Sequence, residues 1–156
     1  MSIVITRIDE RLIHGQVAYS WSVAYQVTEY VVVDDEAAND PTQILLLSMA
    51  VPSGKKHAIL SVENAVRYLA AQPESEKTFI VVKSPHVLLS LIERGITLPS
   101  INVGGMYYKP GKQEISKTVY LDEEDRDVFR KIRNHGIACE IRTSPSDKSI
   151  DLFTKI

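Results

Sequence analysis

The sequence predicts a three-layer α/β fold, a mainly parallel twisted sheet of six or seven strands with helices on both faces. Three observations carry that prediction. Short β-branched or apolar runs recur along the chain, among them Tyr30-Val-Val-Val33 and Thr78-Phe-Ile-Val-Val82. Between the runs lie segments of about 10 to 14 residues with apolar side chains at helical spacing, the alternation that builds βαβ units. The Thr78 run is apolar on both phases, as a central strand covered on two faces must be.

The elements follow in order. Residues 2–6 form a strand through Ile3, Val4 and Ile5, and after a polar turn Val17, Trp21 and Ala24 recur at i, i+4 and i+7 of a first helix. The Tyr30 strand ends in Asp34-Asp35-Glu36. Asp40 is an N-cap with Pro41 at the first helical position, and the helix places Ile44, Leu45, Leu47 and Met49 on its apolar side until Pro52-Ser-Gly54 breaks it. A short strand at 57–60 leads to Ser61, which caps a helix carrying Val62, Ala65, Val66 and Leu69. After the Thr78 strand, Ser84-Pro85 repeats the cap signal, Leu88, Leu91 and Ile92 face inward, and Gly95 stops the helix. Residues 101–103 form a strand ending in Gly104-Gly105, a pair that signals close backbone approach at the sheet's carboxyl edge. Residues 107–113 are turn-rich, 117–121 return as a strand, and Asp122 caps a helix bearing Val128, Phe129 and Ile132 that stops at Gly136. Residues 138–142 alternate in period two, with Cys139 and Ile141 on one side, and 150–156 read as a short amphipathic helix. No repeat, linker or low-complexity segment interrupts this order.

Length and composition bound the function. With 156 residues the chain reads as a single domain, 1–156, since a domain takes about 100 to 200 residues. Hydrophobic residues make up 44% and charged residues 24%, the balance of a soluble globular protein. A net charge of −2 and a pI near 6.1 argue against nucleic acid as partner. The single Cys139 excludes an internal disulfide, and Met1 runs into a strand pattern without a signal-length apolar region, so the expected location is the cytoplasm. No run approaches the roughly 18 apolar residues of a membrane span.

The stretch that carries chemistry is Arg7-Ile-Asp-Glu-Arg-Leu-Ile-His14-Gly-Gln-Val17. It is a strand-to-helix turn, which in an open α/β sheet sits at the carboxyl ends of the strands where ligands bind, with a helix N-terminus offering free N–H groups to an anion. Gly15, without a Cβ, lets the backbone approach a ligand or take positive φ beside His14. A histidine there can be nucleophile, base or metal ligand. Gly104 and Gly105 stand as a wall of the same site if their strand neighbours the first. Other signatures fail. No G-x-G-x-x-G follows the first strand, and Gly105-Met-Tyr-Tyr-Lys-Pro-Gly111-Lys112 has five residues between its glycines and Gln113 where a P-loop needs Ser or Thr. No H-E-x-x-H, C-x-x-C or G-x-S-x-G occurs.

That motif, with Ile101-Asn-Val-Gly-Gly-Met106 and Gly111-Lys-Gln113, resembles the IIB component of the bacterial phosphoenolpyruvate-dependent sugar phosphotransferase system, in its mannose/fructose/sorbose family. The similarity runs in register over nearly the whole chain, and residues 111–119 look more like the N-acetylgalactosamine and galactosamine members than the mannose ones. The resemblance implies that His14 takes a phosphoryl group, on Nδ1, from a IIA phosphohistidine. It implies transfer onward to a sugar held by membrane IIC and IID subunits, with the chain peripheral to the inner face of the membrane and no cofactor or metal. The residue chemistry suits such a role, because phosphoryl transfer needs mostly alignment and electrostatic support. Arg11 can grip equatorial oxygens bidentately. Backbone N–H groups from Ile13 through Gly15 to Gln16 add fixed dipoles, and Ser84, Gly104 and Gly105 complete the candidate phosphate contacts. Asp9 either accepts from the other imidazole N–H, fixing the tautomer, or pairs with Arg7 or Arg11.

Two rival classes remain at this level: a receiver-type module phosphorylated on Asp34 or Asp35 with Mg²⁺, and a metal-dependent hydrolase using His14 and Asp9. The acidic pair ends the second strand and not the Thr78 strand, which favours a solvated or helix-capping role. His57, His86 and His135 read as surface residues and Cys139 as core. Composition leaves a homo-oligomer open.

Overall fold

The chain builds β1 (Ile3–Asp9), α1 (Gly15–Tyr25), β2 (Glu29–Val33), α2 (Asp35–Ala38), α3 (Pro41–Ala50), β3 (Lys56–Leu60), α4 (Val62–Ala70) and β4 (Thr78–Val82). Then come α5 (Pro85–Glu93), β5 (Ile101–Gly105), β6 (Gln113–Ser116), β7 (Val119–Leu121), α6 (Glu123–Asn134), β8 (Cys139–Ile141) and β9 (Ile150–Asp151). These elements come from a computed structural model that describes residues 2–156. One sheet runs in the order β3-β2-β4-β1-β5-β8-β9, parallel except for β9, and β6 with β7 forms a separate hairpin.

Strand alternation feeds the two cores. Val31, Val33, Ile80 and Val82 face one side, where α4, α5 and α6 bring Leu69, Leu88, Leu91 and Phe129. Tyr30, Val32, Phe79 and Val81 face the other, against Ala18 and Trp21 of α1 and Leu47 of α3. The fold is therefore three-layered, and burial of a side chain such as Phe79 or Leu88 contributes about 1.5–3 kcal/mol. From β1 the chain leaves through α1 on the second face towards β2, whereas from β5 it leaves through α6 on the first face towards β8. Adjacent strands whose connections diverge open a crevice at their carboxyl ends, and here that crevice lies between β1 and β5.

Several elements depart from the sequence-based expectation. Strand β1 runs to Asp9 and not only to residue 6, because Arg7 and Asp9 pair in register with Asn102 and Gly105 of β5 and find their polar partners inside the sheet. The Gly104-Gly105 pair correspondingly belongs to β5 itself. In α1 the buried face is Ala18, Trp21 and Ser22, with Ala24 exposed; Tyr30 donates to the Ala18 carbonyl at 2.9 Å and ties that edge down. In α3 Leu47 is buried but Leu45 and Met49 point outward, Met49 at 74% exposure, since residues two apart on a helix sit on nearly opposite sides. Helix α2 was not expected; the Asp34 carboxylate accepts from Ala37 N–H at 2.9 Å, and that cap suffices for one turn. Asp35 caps the neighbouring helix α4 through Val62 N–H at 2.9 Å, so both acids are caps. Strand β6 overlaps the turn-rich stretch 107–113 only at Gln113; the residues after it, to which the sequence assigns no element, pair antiparallel with β7 through Glu114 and Ser116. In place of a helix over 150–156, β9 pairs antiparallel with β8 and a single 3-10 turn (Leu152–Thr154) follows, since seven residues are too few to sustain a helix against an available strand edge.

Candidate functional site

Asp9 ends β1 with no exposed surface, and three groups converge on its carboxylate. His14 Nε2 lies 2.9 Å from Oδ2, an Arg7 guanidinium nitrogen donates to Oδ2 at 3.3 Å, and the Arg11 backbone N–H donates to Oδ1 at 3.0 Å. A carboxylate only accepts, so the imidazole proton sits on Nε2 and the lone pair of Nδ1 is left for chemistry. Of the roles open to Asp9 in the sequence, the structure combines them: it orients the ring and pairs with both arginines, the Arg11 Nε standing 3.7 Å away.

The turn is held in an unusual backbone path. Leu12 takes φ of +60° and Gly15 +45°, and Leu12 N–H closes onto the Asp9 carbonyl at 2.8 Å. A left-handed leucine costs about 1–3 kcal/mol and persists only where the surroundings enforce it, here by burial of its side chain in the second core. Ile13 is likewise buried, which pins the turn from beneath. His14 is the N-cap of α1 without a side-chain capping bond, because its ring is turned to Asp9, and no acidic residue occupies the first turn. The first-turn N–H groups, Gly15 and Gln16 among them, thus keep the positive end of the helix free of competing carboxylates.

Arg7, which the sequence offers only as one possible partner of Asp9, is the centre of the buried network. Its guanidinium, 3% exposed, is bonded to Asn102 Oδ1, to the Arg142 carbonyl at 3.1 Å and to Asp9. Its carbon lies 5.6 Å from the Trp21 ring centroid, and the Arg142 guanidinium lies at the same distance from that ring. Burial pulls the Arg7 pKa below its usual value, against the opposing charge of Asp9. Gly104 exists for this side chain: a Cβ there would overlap the Arg7 guanidinium. At Gly105 a Cβ would stand 3.2 Å from Asp9 Oδ1 and 3.1 Å from Tyr107 Oη, so the pair of glycines makes room for Arg7, Asp9 and Tyr107. The sequence signal was a polar Asn102 inside an otherwise apolar strand.

Arg11 stands at the mouth, 56% exposed, with its guanidinium carbon 5.7 Å from the Tyr107 ring centroid. Burial, then the Asp9 charge, raises the Tyr107 pKa and keeps the phenol neutral. Ser84 occupies the N-cap position of α5 without a side-chain cap bond and lines a separate hollow with Glu10, Lys83 and Lys112. Among the described residues it makes no hydrogen bond to the His14 turn. The other histidines are exposed, His86 with its Nε2 3.1 Å from a Glu124 carboxylate oxygen. Cys139 is buried, which pushes its thiol up to about 12. Among the described residues no group of three or more His, Cys, Asp or Glu is placed to hold a metal ion.

The family model described as PTS system sorbose subfamily IIB component matches residues 3–156. The chain belongs to that family. This IIB component is 36% identical over 157 residues to the sorbose-specific EIIB component of Klebsiella pneumoniae, covering 100% of the chain and 96% of the relative. It is 36% identical over 160 residues to the mannose-specific EIIAB component of Escherichia coli K12, of which it covers 50%. The crystal structure of the IIBSor domain of the K. pneumoniae sorbose permease superposes with a TM-score of 0.94 at 34% identity, over 99% of this chain and 96% of that one. As a IIB component it is part of a sugar phosphotransferase system, with a transferase role.

Proposed function

We propose that residues 1–156 act as one phosphotransfer unit in which His14 accepts a phosphoryl group from a phosphorylated IIA protein and passes it to a sugar entering through membrane IIC and IID subunits. The activity is that of a protein-Nπ-phosphohistidine–sugar phosphotransferase. The observation that carries the reading is the buried Asp9 carboxylate 2.9 Å from His14 Nε2, which orients the ring with Nδ1 available. In the first step the Nδ1 lone pair attacks phosphorus as the phosphorus–nitrogen bond to the IIA histidine breaks; the proton stays on Nε2, where Asp9 supports the imidazolium-like charge. In the second step that new bond breaks and the sugar hydroxyl oxygen takes the group, its proton leaving to solvent or to the membrane partner.

Arg11, the Ile13 N–H just before the N-cap and the first-turn N–H groups at Gly15 and Gln16 stabilise the equatorial oxygens, and fixed dipoles do so without reorganisation at the moment of transfer. Gly104 and Gly105 act through Arg7 and Asp9. Ser84 would join only when a partner reshapes the rim. The mannose-specific relative, named EIIAB, supports IIA as the donor. No helix among the described residues is long and apolar enough to cross a membrane, consistent with work at the cytoplasmic face beside IIC and IID.

The test is incorporation of labelled phosphate from phosphorylated IIA in excess EDTA. His14→Ala abolishes labelling, while His57→Ala, His86→Ala and His135→Ala label normally, and the wild-type phosphoprotein survives alkali but not acid. Label persisting in His14→Ala, or a Mg²⁺ requirement with hydroxylamine-sensitive phosphate, would return the receiver reading on Asp34 or Asp35.

A further inference from the structure

Between the β6–β7 hairpin and the segment after β8 lies a hollow of about 470 Å³ that the phosphotransfer chemistry does not use. Its apolar wall comes from Ile115, Ile141 and Ile150, and its lining carries Lys117, Lys148 and Lys155. None of these three lysines has an ion pair or a side-chain hydrogen bond among the described residues. The lining thus gathers three lysines without an ion pair against a single carboxylate, in a chain whose net charge is −2. Asp147 supplies the one carboxylate on the lining, and its Oδ2 is taken by the Ser144 N–H at 3.1 Å. Arg142 also lines the hollow, but its guanidinium is spent on the carbonyls of Pro145 and Asp147. A second observation points the same way. Ser116 lines the hollow, and its hydroxyl is buried with no hydrogen-bond partner. An unpaired buried hydroxyl costs about 1–3 kcal/mol, and such groups call for an unfilled ligand or water.

We propose that this hollow is a second anion site, distinct from the His14 turn, that takes a phosphate ester carrying an apolar body. The lysines would neutralise the oxyanion, Ser116 would donate to it after a single χ1 step, and the isoleucines would cover the body. Free inorganic phosphate would satisfy only the rim.

The hollow carries its own reporter. Trp21 is the only tryptophan; its Nε1–H donates to the carbonyl of Thr143, a lining residue, at 3.1 Å, and its ring lies under Arg142. The full chain is titrated with n-butyl phosphate and followed by amide NMR and by tryptophan emission. Amides of residues 115–118 and 143–150 shift saturably, and emission changes with the same midpoint. In the double variant Lys148→Glu, Lys155→Glu the affinity for this set falls at least tenfold, while residues 13–17 respond to phosphate as in the wild type. The proposal is overturned if residues 115–118 and 143–150 stay unmoved, or if the double variant responds like the wild type. Vesicles decide the source of the ester. Co-sedimentation with phosphatidylglycerol but not phosphatidylcholine, lost in the double variant, assigns it to a lipid headgroup; binding of the free ester without co-sedimentation assigns it to a soluble metabolite.

Discussion

Asp9 carries two loads that substitution separates. It orients His14, and among the described residues it is the only negative charge bonded to the buried Arg7. Asp9→Asn keeps the shape but leaves the Arg7 charge unpaired, and removing one partner of a buried pair costs about 3–5 kcal/mol. Urea unfolding is therefore expected to show that loss in Asp9→Asn and almost none in His14→Ala, whose ring is part-exposed. Equal stabilities would mean that Asn102 and the Arg142 carbonyl satisfy Arg7 alone. Arg11 tests differently, being at the surface. Arg11→Lys keeps the charge and loses the planar fork, so the transfer rate is expected to fall on the order of 10- to 100-fold, about 1.4 to 2.7 kcal/mol at the transition state. An unchanged rate in stopped-flow transfer from phosphorylated IIA would place Arg11 outside the chemistry.

At the scale of elements, β5 is built around a side chain from its neighbour. Gly104→Ala drives a methyl group into the Arg7 guanidinium, which Asn102, Arg142 and Asp9 hold on three sides, so it cannot swing away. Overpacking of this kind costs about 1–3 kcal/mol, and the thermal midpoint should drop while Gly111→Ala, with open space around it, shows only the cost of its positive φ. A Gly104→Ala variant as stable as wild type would show that Arg7 has another resting place. The same pair shows what a sequence conceals. Strands β2 and β4 and the caps Asp40, Ser61 and Asp122 were legible because each signal is local. The place of Arg7 was not, because two of its three partners lie 95 and 135 residues away along the chain. Arg7 looked like turn because charge at the end of an apolar run usually marks the surface. The outward Leu45 and Met49 failed for a related reason: apolar character does not say which side of α3 meets the sheet.

Across the whole molecule, the amino-terminal end of the sheet carries a second polar knot. Glu29 of β2, buried, accepts from the Tyr68 hydroxyl and from Gln72. Burial, with the Glu29 hydrogen bond next, pushes the Tyr68 phenol up from 10.0 to about 12. A pKa raised on folding gives stability that is complete below the unfolded value, so the contribution is full below about pH 10 and lost as pH rises towards 12. Denaturation midpoints should fall steeply across that interval, and Tyr68→Phe should flatten the fall, leaving the slope due to Cys139, Tyr30 and Tyr107, which burial also raises. A slope unchanged in Tyr68→Phe would assign alkaline unfolding elsewhere.

The two flanks of the sheet decide how this molecule behaves in a crowd. An open sheet ends in strands with unsatisfied backbone groups, and those ends invite another chain to add on. Here one flank closes with β9, two residues long and folded straight into a 3-10 turn, which leaves too short a ladder to extend. The other flank is β3, which begins with the exposed Lys56 and His57, the Lys56 ammonium anchored to Glu76. Charge at one end and brevity at the other deny fibrous stacking a template, so high local concentration does not turn the sheet into a seed for aggregation.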